Sequence, residues 1–127
     1  MFDFDNFGDI SKLSIWVGNF NSEKELEEYV EEEYDDDDKC SSLFLEQFKI
    51  DWIDHDFQEI GFYDNGLTKD GLMEHSWAKT FIPNVDDKLL MGNNSVIIVY
   101  EFEYSGEVKS KNNIHFIGIY DYEVIDK

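Results

Sequence analysis

His55 stands between two carboxylates in the tripeptide Asp54-His55-Asp56. Flanking acids favour the imidazolium and raise its pKa, which would suit a proton-transfer group. A surface histidine in an acidic turn has the same sequence, and both readings stand. His75 and His115 have no partner at a metal-ligand spacing such as H-E-x-x-H. Cys40, the only cysteine, follows an acidic run, and neighbouring carboxylates disfavour the thiolate that a nucleophile needs. The chain carries no G-x-S-x-G elbow, phosphate loop or dinucleotide fingerprint. Its thirty Asp and Glu offer many carboxylate pairs for glycoside-type acid–base chemistry. That abundance makes any single pair uninformative. The expectation is a chain without catalytic machinery, the alternative being a small hydrolase that uses carboxylates or His55.

Metal binding is the other chemistry so acidic a chain suggests. A calcium loop wraps the ion with six to eight spaced oxygens. The nearest match, "DFDNFGDISKLS" from Asp3, has Asp3, Asp5, Gly8 and Asp9 in suitable places. It puts Phe7 where a ligand is needed and Ser14 where a bidentate Glu should close the loop. The run Asp35–Asp38 lacks the spacing to wrap one cation. No metal and no cofactor are expected, with an acidic divalent-metal module as a further alternative.

The acids are concentrated in "LEEYVEEEYDDDDK", residues 26–39, which holds nine carboxylates. Ser22, followed three residues later by Glu25, is a capping box that starts a helix. Leu26, Tyr29, Val30 and Tyr34 form one apolar stripe, which leaves Glu27, Glu28, Glu31 and Glu32 mainly outside it. The spacing predicts a helix from Glu23 to about Tyr34. Asp is a poor helix former and opposes the dipole at a helix end, so Asp35–Asp38 is expected as a loop. That loop is either a docking surface or a solubilising one. Trp52 lies between Asp51 and Asp54, and it is either an aromatic anchor ringed by charge or a ring folded back over the core. Trp16 and Trp77 read as core residues.

The elements that must position these groups follow from the patterning. Leu13, Ile15 and Val17 alternate within "LSIWVGNF", a first strand. Ser41 or Ser42 caps a short helix, "LFLEQFK", with Phe44, Leu45 and Phe48 inward. "DWIDHD" is a turn or irregular segment, "FQEIGFY" a strand, and "DNG" ends it. Thr68 caps a third helix, "KDGLMEHSW", weakened by Gly71. Pro83 begins a fourth, "NVDDKLLM", which Gly92 ends. "NSVIIVYEFEY" and "IHFIGIYDYEV" are strands joined by "SGEVKSKNN" as an antiparallel hairpin, and Val96–Val99 reads as a central strand buried on both faces. The expected order is β-α-α-β-α-α-β-β. It implies an α+β fold with helices packed on a mainly antiparallel sheet of about four strands. At 127 residues, one domain spanning 1–127 is expected.

Charge bounds the partners. Net charge is −20, all ten basic residues are Lys, and there is no Arg. Such a field repels polyanions and attracts basic partners, so nucleic acid and anionic membranes are poor candidates. A single cysteine rules out an internal disulfide. "MFDFDNFGDI" lacks the basic-then-apolar pattern of a signal peptide. No stretch reaches the ~18 apolar residues of a membrane helix. A cytoplasmic location is expected, and oligomeric state is not legible.

"SIWVGNFNSEKELEEYVEE", "FKIDWIDHDF", "NSVIIVYEFEYSGEV" and "FIGIYDY", in that order, resemble immunity protein family 22, whose members are encoded beside bacterial polymorphic toxins. The resemblance runs from about Lys12 to Tyr122 and rests on overall pattern. It implies an α+β immunity protein that neutralises a cognate toxin by binding, without catalysis. A basic nuclease domain would fit the charge. The resemblance carries no functional residues across. Charge and exposure alone assign the expected toxin contacts: Asp35, Asp36, Asp37, Asp38, Trp52, Asp54 and Asp56.

Overall fold

The computed structural model describes residues 10–31, 33–34, 40–50, 53 and 55–124. Strand β1, Ile10–Gly18, is the centre of the sheet. Its alternating residues feed two cores. Leu13, Ile15 and Val17 join one apolar cluster, and Trp16 joins the other on the opposite face. β5, Ser95–Tyr100, pairs antiparallel with β1 and divides its residues in the same way. Val96, Ile98 and Tyr100 pack on the first face, Ile97 and Val99 on the second. The expected central strand buried on both faces is therefore present, because every residue of β5 is buried.

Five strands form the main sheet in the order β4-β5-β1-β7-β6, where β4 is Gln58–Phe62, β6 Ser110–Lys111 and β7 Ile114–Glu123. Each neighbouring pair is antiparallel. The four strands read from the sequence all lie in it, with the short β6 as a fifth. The expected hairpin between the last two long strands does not form. β1 lies between β5 and β7 and pairs with both, so β7 instead hairpins with β6. Glu101, at φ 57, ends β5 short of "EFEY", and residues 101–109 carry the chain over the Trp16 face of β1. Ser14 ties down this crossing: its Oγ donates to the Phe102 carbonyl at 2.7 Å and accepts from the Tyr104 amide at 2.9 Å.

Helix α1, Glu23–Val30, covers the second face with Leu26, Tyr29 and Val30 buried. Ser22 Oγ accepts from the Glu25 amide at 3.2 Å. Glu25 Oε1 returns to the amide of Asn21, one residue before the cap, at 3.0 Å. The helix stops at Val30 and not at Tyr34. Its last turn has no basic residue, so the glutamates crowding that end face both the negative pole of the dipole and one another. Glu33–Tyr34 instead forms β2, which pairs with β3, Cys40–Ser41, as a separate two-stranded sheet. Helix α2, Leu43–Gln47, is capped by Ser42 and buries Phe44 and Leu45, with Phe48 beside them.

The first face is covered by residues 67–90. Thr68 caps α3, Lys69–Leu72, with Oγ1 accepting from the Gly71 amide at 3.0 Å. The expected longer helix breaks off here, and the chain turns so that Trp77 sits at φ 55. Two 3₁₀ turns follow, Ala78–Thr80 and Ile82–Asn84, the second holding Pro83. Helix α4, Asp87–Leu90, begins at Asp86, later than the expected start near Pro83, and Gly92 follows at φ 81. The observed order is thus β-α-β-β-α-β-α-α-β-β-β.

Candidate functional site

Of the expected contact residues, Asp56 lies within the described structure. It is exposed, in a 3₁₀ turn formed by His55–Phe57 that leads directly into β4. Asp35, Asp36, Asp37, Asp38, Trp52 and Asp54 lie outside the described residues, as does the calcium-like stretch from Asp3 to Asp9. In sequence, Asp35–Asp38 falls between the paired strands β2 and β3.

The acidic face that is described belongs to α1. Because Leu26, Tyr29 and Val30 point into the core, Glu23, Glu27, Glu28 and Glu31 are displayed outward, and all four are exposed. The helix is held in that orientation from below. Tyr29 donates its hydroxyl to Gln47 Oε1 on α2 at 2.8 Å, and its ring lies 5.3 Å from Phe20. Under this helix, Trp16 is fully buried against Phe44, Phe48, Tyr104 and Phe116, with centroids 4.8 to 5.9 Å away. The core reading of Trp16 therefore holds. Trp77, half-buried, stacks on Tyr122 and meets Tyr100 edge-on.

A polar cluster lies on the other face. Glu59 projects from β4 beside Ile98. Its Oε1 accepts from His75 Nδ1 at 3.0 Å and from the Ser76 amide at 3.2 Å, and Oε2 accepts from Ser76 Oγ at 2.5 Å. Tyr100 completes the ring, donating to the Ser76 carbonyl at 2.8 Å and lying 3.4 Å from Glu59 Oε1. His75 Nε2 sits 3.0 Å from the Tyr63 hydroxyl, which donates to Glu74. Hydrogen bonding by His75, then by Ser76, holds the Glu59 carboxyl down at about 2 against the opposing effect of burial. Burial pushes the phenols of Tyr63 and Tyr100 up, and nearby carboxylates add to this, so both remain donors. An ionised Glu59 can only accept, which places a proton on His75 Nδ1.

Carboxylate, imidazole and hydroxyl in series is an acid–base arrangement. Here the second imidazole nitrogen faces Tyr63, and the His75 side chain is only 7% exposed. What the geometry does is fasten edge strand β4 to the turn after α3. His75 has a partner after all, sixteen residues away on a strand, where no helical spacing would reveal it. The one signal in the sequence was a lone Glu in an apolar strand pattern. His115 is exposed on β7, with Nδ1 2.8 Å from Ser110 Oγ. Among the described residues, no three His, Cys, Asp or Glu group to hold a metal ion. Among them also, no helix is long and apolar enough to cross a membrane.

The fold is that of an α+β protein: an antiparallel sheet with helical segments on both faces, one of them carrying the exposed glutamates of α1. The chain matches the family Immunity protein 22 over residues 13–123 and belongs to it. Neither the curated proteins nor the solved structures gave a match.

Proposed function

We propose that this protein neutralises a bacterial toxin encoded beside it by binding the toxin non-catalytically through an acidic surface, in the cytoplasm and as one domain. The observation that carries the reading is the glutamate ridge of α1 in a chain of net charge −20 that belongs to the immunity family. Asp35–Asp38 would extend this ridge along the chain, and Trp52, Asp54 and Asp56 would contribute ahead of β4. A basic cleft, such as one that a nuclease uses for its own substrate, is the complementary surface. Steering between opposite charges lifts association towards 10⁸–10⁹ M⁻¹s⁻¹ at low salt, and buried aromatic contacts then set dissociation.

The test is co-expression with the neighbouring toxin domain, followed by stopped-flow association at graded salt. Growth should be rescued, and changing Asp35–Asp38 together to Asn should slow association most at low salt. A toxin that still kills in the presence of this protein would remove the reading. A salt-independent association rate would remove the electrostatic part of it. Trp52→Ala should speed dissociation if the ring is an anchor, and should lower the melting temperature with binding intact if the ring is core.

A further inference from the structure

The two ends of the sheet are not equivalent. One end is blunted. β6 is only two residues long and carries Lys111 beside Lys109. β7 is bulged once, at Ile117 opposite the Ile15/Trp16 register shift; beyond the bulge Gly118–Glu123 runs in regular register with β1, and the Glu123 amide is bonded to Thr80 Oγ1 at 3.0 Å. Short length, lysines and bulges are the devices by which proteins protect sheet edges. The other end, β4, has none of them. It runs five residues in unbroken register with β5 and contains neither Lys nor Pro. Among the described residues, it has no second strand partner.

The register also gives the direction of its backbone groups. Tyr63 and Asn94 continue the β4–β5 pairing, and the Tyr63 amide bonds to the Asn94 carbonyl at 2.8 Å. In an antiparallel ladder such pairs alternate. Glu59 and Gly61 therefore bond to β5, while Ile60 and Phe62 turn their N–H and C=O groups outward; the Gln58 amide closes the 3₁₀ turn His55–Phe57, so only its carbonyl is offered there.

The surroundings select the kind of strand that would fit. Between Lys49 and Lys69 the chain has no Lys or Arg, and His55 is the one histidine there. Exposed Asp56 and Asp64 stand just outside the two ends of β4, and Glu59 lies within it. α1, with its glutamate ridge, packs against β4. A second copy of this chain would bring two charges of −20 edge to edge, which self-repulsion opposes. We infer that the free edge of β4 takes an extended, lysine- or arginine-rich segment of the toxin as a sixth strand of the sheet. Main-chain bonds from Ile60 and Phe62, with the Gln58 carbonyl, hold it, and the flanking acids select its charge. This rests on the toxin-binding reading.

Amide hydrogen exchange, followed by NMR on the full chain, tests it directly. Free protein should exchange rapidly at Ile60 and Phe62 and slowly at Glu59, Gly61 and Tyr63. Adding the toxin domain encoded beside this chain should slow the first two at least tenfold. A complex that leaves those two unchanged overturns the edge while leaving toxin binding intact. Absence of any complex overturns both. Protection of the two amides already in the free protein overturns the inference too, and dilution tells a second copy from the chain's own cover. A variant gives an independent reading, because Ile60→Pro deletes an outward N–H without touching the β5 ladder. It should keep its cooperative melt and bind the toxin at least tenfold more weakly. Unchanged affinity in a folded Ile60→Pro protein overturns the inference, and should that variant unfold, the exchange experiment decides.

Discussion

Glu59 Oε1 lies 3.0 Å from His75 Nδ1, so an edge strand and the turn after α3 are joined through one carboxylate. The bond runs from a strand that carries half-exposed side chains to a histidine that is nearly enclosed. It makes the cluster a lock on the otherwise one-sided β4. The lock is sensitive to acid, in a direction fixed by the carboxyl's shift.

Glu59 is held at about 2 in the folded chain, against 4.5 for a free glutamate. A carboxyl whose folded pKa is depressed contributes stability that is fully present above the unfolded value and is lost as pH falls through the folded one. The contribution of Glu59 should therefore be constant above about pH 5 and decline between 4.5 and 2. Glu59→Gln should lower stability at pH 7 by about 1.5–3 kcal/mol, typical for hydrogen bonds to a charged group. Denaturant unfolding of both proteins across pH checks this. The gap between them should close on the acid side, and a gap that widens there would refute the assignment.

Ser14→Ala should destabilise by about 1–3 kcal/mol, because it orphans two backbone groups at once. The Tyr104 amide loses its acceptor and the Phe102 carbonyl its donor, at a position where Ser14 is fully buried. The Tyr104 amide should then exchange faster with solvent than in the parent. Stability and Tyr104 exchange both equal to the parent's would show that the crossing is held elsewhere.

Ser14 also marks the limit of what the sequence discloses. The strand patterns of Leu13–Val17 and Val96–Val99, the caps at Ser22 and Thr68, a further cap at Ser41 or Ser42, and the burial of Trp16 were all legible. Each is set by residues within a few positions of one another. Which strands become neighbours was not legible, because alternation says which face a residue takes and nothing about its partner. "NSVIIVYEFEY" and "IHFIGIYDYEV" read as a hairpin, yet β1 separates them. The Glu59–His75 cluster was hidden for the same reason, since three segments meet only after the sheet forms. The apolar stripe alone carries the helix on to Tyr34, whereas like charge accumulating at its carboxyl end stops it at Val30.

Gly18→Ala should destabilise by about 1–3 kcal/mol, the range for forcing extra atoms into a packed site. A Cβ there would stand 2.5 Å from Ile114 Cδ1 and 2.6 Å from the Asn113 carbonyl oxygen. The side chain can rotate away, but the carbonyl sits in the turn between β6 and β7 and cannot. Adding Ile114→Ala to Gly18→Ala should therefore not restore stability. Thermal melts of the single and double variants check it, and recovery in the double variant would place the clash on the side chain alone.

The glutamate ridge yields a prediction in which folding and function move in opposite directions. Glu23, Glu27 and Glu31 follow one another at i, i+4 spacing, and Glu28 and Glu31 at i, i+3. Like charges so placed cost an isolated helix about 0.2–0.5 kcal/mol per pair. Those nearest the carboxyl end also oppose the dipole. Changing Glu27, Glu28 and Glu31 together to Gln should therefore leave the protein as stable as before or slightly more so. If the ridge steers a basic toxin, the same variant should associate several-fold more slowly at low salt. Its rate should converge on the parent's as salt shortens the Debye length to about 3 Å at 1 M. Dissociation should barely change, because the exposed ridge acts before contact. Stopped-flow association at graded salt, beside denaturant unfolding of the same two proteins, reads both effects. Slower association together with lost stability would point to damage to α1, and an unchanged association rate would remove the ridge from the encounter.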